Sequence, residues 1–233
     1  MADLEAEKAR AAKRAVEEVR DGMLIGLGTG STAAYAIREL GARVKAGLKI
    51  DVVATSTAAD KLAREAGLAP LDFGGVARVD ITIDGADRIN PNLEAIKGGG
   101  GALLREKIVG AASDRLIIIV DSSKPVELLG GFPLPLEVLP FAHAWVTRAI
   151  TDIGAKVRLR RQGNGEPFLT DQGNLILDVD LGEIEAPVAL ANQLDLIPGI
   201  IEHGLFVSEI DCAIIGRGDQ VDIVYKSDCR GKS

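Results

Sequence analysis

The chain has 233 residues, 47% of them hydrophobic and only 3% aromatic, which suits a globular protein with an aliphatic core. Its net charge of −7, from 27 basic and 34 acidic side chains, argues against nucleic acid and membrane surfaces as partners. The first residues carry no basic region ahead of an apolar run, and no apolar stretch reaches the roughly 18 residues of a membrane span, so a cytoplasmic location is expected.

Leu4 to Arg20 places Ala9, Ala12, Val16 and Val19 at three- and four-residue spacing, the pattern of an amphipathic helix. Met23 to Gly28 then reads as a short strand ending in glycines, and helical composition resumes from Ser31 to Leu40. The same order recurs: strand Ile50–Ala54, turn Thr55-Ser56-Thr57, helix Ala58–Ala66. Val79–Ile83 and Leu116–Val120 are further strands, and their Ile and Val runs suit burial on both faces of a parallel sheet. The first half is therefore expected to be α/β and doubly wound.

After Asp121 the glycines and prolines of residues 130–135 break this texture, which predicts a boundary. Strands over Val157–Arg161 and Leu175–Val179, with helices near Ala142–Ile153 and Val188–Leu196, predict a small α+β unit over 131–204. The remaining runs, Cys212–Ile215 and Val221–Val224, are expected to return the chain to the first sheet, giving a large domain of 1–130 with 205–233.

Gly28-Thr29-Gly30-Ser31-Thr32 lies between a strand and a helix start, where unpaired N–H groups and the helix dipole attract an anion. Its plainer reading is a tight turn with Ser31 or Thr32 as helix cap. A Walker loop is absent. So is the acidic residue that a dinucleotide fold places at the end of the second strand, which also counts against a methyltransferase. Asp84-Gly85-Ala86-Asp87 puts two carboxylates at a strand's carboxyl end, suited to sugar hydroxyls or proton transfer, or simply to an Asp-rich turn.

Lys97 precedes four glycines, Gly98 to Gly101, whose successive N–H groups can form an anion nest; a flexible linker is the alternative. Arg105-Glu106-Lys107 follows on a helix, where a solvated charged face is the ordinary reading. Asp121-Ser122-Ser123-Lys124 brings another cation to a strand end. Cys212, Cys229, His143 and His203 stand apart in sequence, so neither a disulfide nor a metal site is expected.

Taken in order, GLGTGSTA at 26–33, TSTAAD at 55–60, DGAD at 84–87, KGGGGALLREK at 97–107 and DSSK at 121–124 resemble ribose-5-phosphate isomerase type A. FPLPLEVLP at 132–140 and DQGNLILDV at 171–179 extend the resemblance over nearly the whole chain. It implies a Rossmann-like, mainly parallel sheet with a smaller α+β domain. The implied reaction interconverts ribose 5-phosphate and ribulose 5-phosphate through an enediolate, with no cofactor and no metal, in a homo-oligomer, dimer or tetramer. Glu106 is implied as the base, with Asp84, Asp87 and Lys97 assisting. The substrate contacts implied are Lys8, Thr29, Gly30, Ser31, Thr32, Asp84, Gly85, Ala86, Asp87, Lys97, Gly98, Gly99, Gly100 and Lys124. Arg88 departs from the pattern, since the family often has Glu after DGAD, and the tail beyond Tyr225 matches nothing in it and reads as disordered. A sugar-phosphate sensor would keep the first glycine loop without needing Glu106.

Overall fold

Apolar runs and amphipathic segments alternate in the structure as they do in the sequence. The structure, a computed structural model, describes residues 3–226, so the tail from Ser227, with Cys229, lies outside the described residues. In chain order the elements are α1 (Leu4–Val16), β1 (Leu24–Leu27), α2 (Ser31–Lys45), β2 (Asp51–Ala54), α3 (Thr57–Glu65) and β3 (Val79–Gly85). They continue as β4 (Arg88–Ile89), β5 (Ala95–Ile96), α4 (Leu103–Ala111), β6 (Ser113–Val120), β7 (Leu134–Val138) and α5 (His143–Asp152). The rest are β8 (Lys156–Leu159), β9 (Leu175–Asp180), α6 (Pro187–Asp195), β10 (Ile200–His203), β11 (Leu205–Phe206), β12 (Cys212–Arg217) and β13 (Gln220–Tyr225).

The chain divides into two compact units, the first comprising 1–86, 105–125 and 208–233 and the second 87–104 and 126–207. In the first, strands run in the order β13-β12-β6-β3-β1-β2, all parallel except β13 against β12. Ala12, Val16, Ile37, Leu40 and Ala63 of α1, α2 and α3 pack with Ile25, Leu27, Ile81 and Ile117 of the sheet. Val109 of α4 packs with Val53 and Val79. Burying an aliphatic side chain of this kind contributes about 1.5 to 3 kcal/mol. Asp3 starts α1 by accepting from Ala6 N at 3.1 Å, and the helix stops at Val16, short of the expected Arg20, although Val19 is still buried.

The second unit holds a four-stranded antiparallel sheet, β10-β7-β9-β8, and a small sheet, β11-β5-β4. Its core includes Leu136, Val138, Val146, Ile150, Leu177 and Leu205. Two expectations need correction. Residues 87–104 group with this unit, not the first, because β4 and β5 pair with one another and with β11; two-residue strands are too short to show a period. Residues 134–138 form a central strand where the prolines suggested only a break. Pairing of β7 with β10 begins at Leu136, so Pro135 withholds no N–H from that ladder.

Candidate active site

In the first unit the order in which parallel strands are added reverses at β1, which has β2 on one side and β3 on the other; in open α/β sheets ligands bind outside the carboxyl ends of the strands at such a switch point. The glycines here are required by space. A Cβ on Gly26 would come 1.9 Å from Thr82 Oγ1, and one on Gly28 would come 2.1 Å from Asp84 Oδ1 and 2.5 Å from Asp84 Cα. Gly28 N donates to Ile83 O at 3.0 Å and Thr29 N donates to Asp84 Oδ1 at 3.0 Å, so the loop is tied to the end of β3. Asp84 Oδ1 also accepts from Gly85 N at 2.7 Å, and the residue is fully buried.

The expected cap of α2, Ser31 or Thr32, is replaced by Gly30, with φ 103°, ψ −179° and no side-chain cap. This opens a helix N-terminus to an anion. The Thr29 hydroxyl faces the neighbouring turn instead, with Oγ1 2.8 Å from Thr55 Oγ1 and donating to Ser56 Oγ at 2.7 Å. Thr55 and Ser56 are buried, and the Ser56 hydroxyl caps α3 by accepting from Ala59 N at 2.9 Å. Sequence reasoning gave these two hydroxyls no role, though TSTAAD had marked the segment.

Glu106 sits on α4 and is only 4% exposed, with Arg105 and Lys107 half-buried beside it, so this is not the solvated face its composition suggested. Lys124 is half-buried at the end of β6, its N donating to Asp121 O at 3.2 Å. Asp121 Oδ1 accepts from the Ser123 N at 2.9 Å and from its hydroxyl. Glu7 holds this turn from α1. It is 1% exposed, and its carboxylate accepts from Ser122 N at 2.9 Å and Gly218 N at 2.8 Å. The Ser122 hydroxyl and these amides hold the Glu7 carboxyl below the usual range. Lys8, the next residue on α1, pairs with Glu5, its Nζ 2.7 Å from Glu5 Oε1.

In the second unit Lys97 is 2% exposed, its Nζ 5.2 Å from the centroid of the Phe206 ring, a cation–π arrangement. The glycines after it form a turn, Gly101 N donating to Gly98 O at 2.9 Å, with φ 100° at Gly98 and 77° at Gly101. Gly99 N donates to Asp87 Oδ2 at 2.8 Å. Gly99 and Gly100 are exposed, whereas Ala86 and Asp87 are half-buried. This is an ordered turn, not a flexible linker. Arg88 donates to Asp87 O at 2.8 Å and lies over Phe132, 5.7 Å from the ring centroid.

Thus the first unit brings together Gly28, Thr29 and Asp84, and the second brings together Asp87 and Gly99. The chain passes from one unit to the other within both DGAD and KGGGGALLREK, between Ala86 and Asp87 and between Leu104 and Arg105. His203 is less isolated than the sequence suggested: Asp195, Glu202 and His203 form a group whose ligand types suit a cation. The His203 Nδ1 accepts from Leu205 N at 3.3 Å, and its Nε2 lies 3.2 Å from Asp195 Oδ1. The Cys212 thiol is free and buried, and burial pushes its pKa up to about 11.

A family model described as ribose 5-phosphate isomerase A (phosphoriboisomerase A) matches residues 51–220. Ribose-5-phosphate isomerase A of Sphingopyxis alaskensis is 55% identical over 228 residues, 98% of this chain and 100% of that protein. The protein of the same name from Bradyrhizobium diazoefficiens is 47% identical, over 96% of this chain and 97% of its own. Among solved structures, a D-ribose-5-phosphate isomerase in complex with phospho-erythronic acid is similar with a TM-score of 0.92, at 38% identity, over 96% of this chain and 99% of that one. Ribose 5-phosphate isomerase A from Methanocaldococcus jannaschii gives a TM-score of 0.91 at 39% identity, over 95% and 99% of the two chains.

Proposed function

The chain belongs to the ribose 5-phosphate isomerase A family and interconverts ribose 5-phosphate and ribulose 5-phosphate, and we propose that Glu106 is the base that carries the proton between the two carbons. The observation that supports this reading is the burial of Glu106 on a helix that follows the glycine turn directly. An aldose–ketose exchange needs one base to take the proton beside the carbonyl and return it to the adjacent carbon. A single carboxylate performs both transfers.

The other roles follow from the chemistry of each group. The open N-terminus of α2, from Gly30 through Ser31 and Thr32, and the cations Lys8 and Lys124 hold the substrate's phosphate and hydroxyls. Opening of the sugar ring falls to a carboxylate of the Asp84, Gly85, Ala86, Asp87 segment. Negative charge on the enediolate oxygens is balanced by Lys97 and the amides of Gly98 and Gly100, the Gly99 amide being bonded to Asp87, so the reading gives no metal a role.

Glu106→Gln tests it. Turnover of ribose 5-phosphate, measured with a strong chelator present, is expected to fall by about 10²- to 10⁴-fold while substrate still binds. The parent keeps full turnover under the same conditions. A variant that turns over at the parental rate, or a parent silenced by the chelator, sinks the corresponding part.

We further propose a cytoplasmic homo-oligomer, a dimer or tetramer. The free Cys212 thiol suits a reducing compartment. Phe141, 96% exposed, and Leu196, 82% exposed, are apolar surface of the kind that self-association covers. Light scattering that finds only a 24.5 kDa particle rejects the oligomer, and cell fractionation that finds the protein outside the cytoplasm rejects the location.

A further inference from the structure

Four glycines in a row have no side chains to orient their peptide planes, so orientation has to be imposed by neighbours. In the second unit the neighbour is Arg160, the residue after β8. Its Nη1 donates to Gly98 O at 2.9 Å and to Gly99 O at 3.1 Å. The rest of the guanidinium is committed to Asp178 on β9, with Nε 3.1 Å from Oδ2 and Nη2 donating to Oδ1. Its flat face lies over Phe168, 5.9 Å from the ring centroid. Phe168 in turn abuts the turn at Gly101, where a Cβ would come 2.4 Å from ring atom Cε1.

The side chains of Arg160 and Asp178 are 14% and 8% exposed. An ion pair so far removed from water adds little to stability once desolvation is counted, so its geometry calls for another reason. A trans peptide is planar, and its carbonyl and N–H point in opposite directions. One nitrogen that holds the carbonyls of Gly98 and Gly99 therefore turns the N–H groups of Gly99 and Gly100 to the far side. The first is seen there, donating to Asp87 Oδ2 at 2.8 Å. A cation on the carbonyl also polarises the peptide and strengthens its N–H as a donor.

From this we infer that Arg160, locked by Asp178 and Phe168, is a positioning residue of the isomerase, aiming the Gly100 N–H at the anionic oxygen that develops during the reaction. The inference rests on the reading that the glycine amides stabilise the enediolate. Donors that act on developing charge lower kcat and leave KM nearly unchanged when misaligned.

Three variants separate the two ideas. Gly100→Pro removes the N–H and tests the reading itself, with kcat expected to fall about 10²- to 10³-fold. Arg160→Lys keeps the cation but loses the planar fork that holds both Asp178 oxygens and two carbonyls at once; kcat is expected to fall about 10- to 100-fold with KM within about threefold. Asp178→Asn, which keeps the shape of the anchor, is expected to move kcat in the same direction. In the Gly100→Pro background Arg160→Lys should cost nothing more. If Gly100→Pro is impaired but Arg160→Lys and Asp178→Asn only lower the melting temperature, with kcat intact well below it, Arg160 is a structural brace and the inference fails alone. If Gly100→Pro turns over normally, the reading of the glycine amides fails and takes the inference with it.

Discussion

The two glycine-rich turns are built on opposite principles. In the first, Gly26 and Gly28 are forced by contact: the β1 backbone runs so close to β3 that Thr82 and Asp84 occupy the places where side chains would be. In the second, Gly99 meets Asp87, while Gly98 and Gly101 are required mainly by left-handed backbone, and the turn is held from outside by Arg160, Asp87 and Phe168. The first loop is fixed by close packing on the end of β3, with Thr29 N bonded to Asp84 across 55 positions. The other is shaped by residues some sixty positions away, with |i−j| of 62 and 61 for the two Arg160 contacts.

The contrast extends to one buried glutamate in each unit. Glu7 accepts a hydroxyl and two backbone N–H groups, which favour its charged form and lower its pKa. Glu137, on β7, is raised by burial even though Asn174 and Thr170 both donate to its Oε1 at 2.9 Å. The Ser122 hydroxyl together with two backbone donors outweighs desolvation in the first case. Two side-chain donors on one oxygen do not in the second.

Gly28→Ala is the most severe way to break the comparison. The added carbon would lie 2.5 Å from the Cα of Asp84, backbone that cannot swing aside, so a loss of about 3 kcal/mol or more is expected, and turnover with it. A chemical denaturation midpoint within about 1 kcal/mol of the parent contradicts the forced contact.

Gly101→Ala is expected to be milder. The left-handed φ of 77° costs about 1 to 2 kcal/mol, and the ring it meets is a side chain that can move. Adding Phe168→Leu should relieve only the steric part. A double variant restored to full stability would show that φ contributes nothing at this position.

The smallest effects are expected from the two glutamates, in opposite directions along the pH scale. Glu7 has a pKa lowered from 4.5, so its contribution is complete above 4.5 and is lost as pH falls through the lowered value. Glu7→Gln should therefore be less stable than the parent near neutral pH, with the gap closing on acidification. Glu137 has a pKa raised from 4.5, so the fold is favoured by its protonated form, and that advantage is lost as pH rises through the raised value. Glu137→Gln should gain on the parent as pH rises. Melting temperatures across pH that move in parallel for both variants would remove the distinction.

How much of this was legible varies with distance along the chain. The β1–α2 loop could be read because a strand, two glycines and a helix start lie within ten residues. DGAD and DSSK could be read because each follows an Ile- and Val-rich strand. The clamp on the second glycine turn could not: Arg158, Arg160 and Arg161 look alike in sequence, the β8–β9 register sets Arg158 opposite Asp178, and it is Arg160, just past β8, that closes on both oxygens of that carboxylate. Glu7 was hidden in the same way, as one charge among many on a helix that looked amphipathic.

Sequence alone determined the class of fold, the order of the motifs and the family, because these depend on local periodicity and on residue types in fixed succession. Tertiary structure alone decided that residues 87–104 join the second unit and that Pro135 stands inside a strand. It also decided which charges are buried: Glu7 and Glu106 each stand beside other charges on a helix, and Lys97 stands between an apolar pair and four glycines. The physical reason is that burial and hydrogen-bond direction belong to pairs of segments brought together by long-range pairing, and composition within one segment carries no information about its partner.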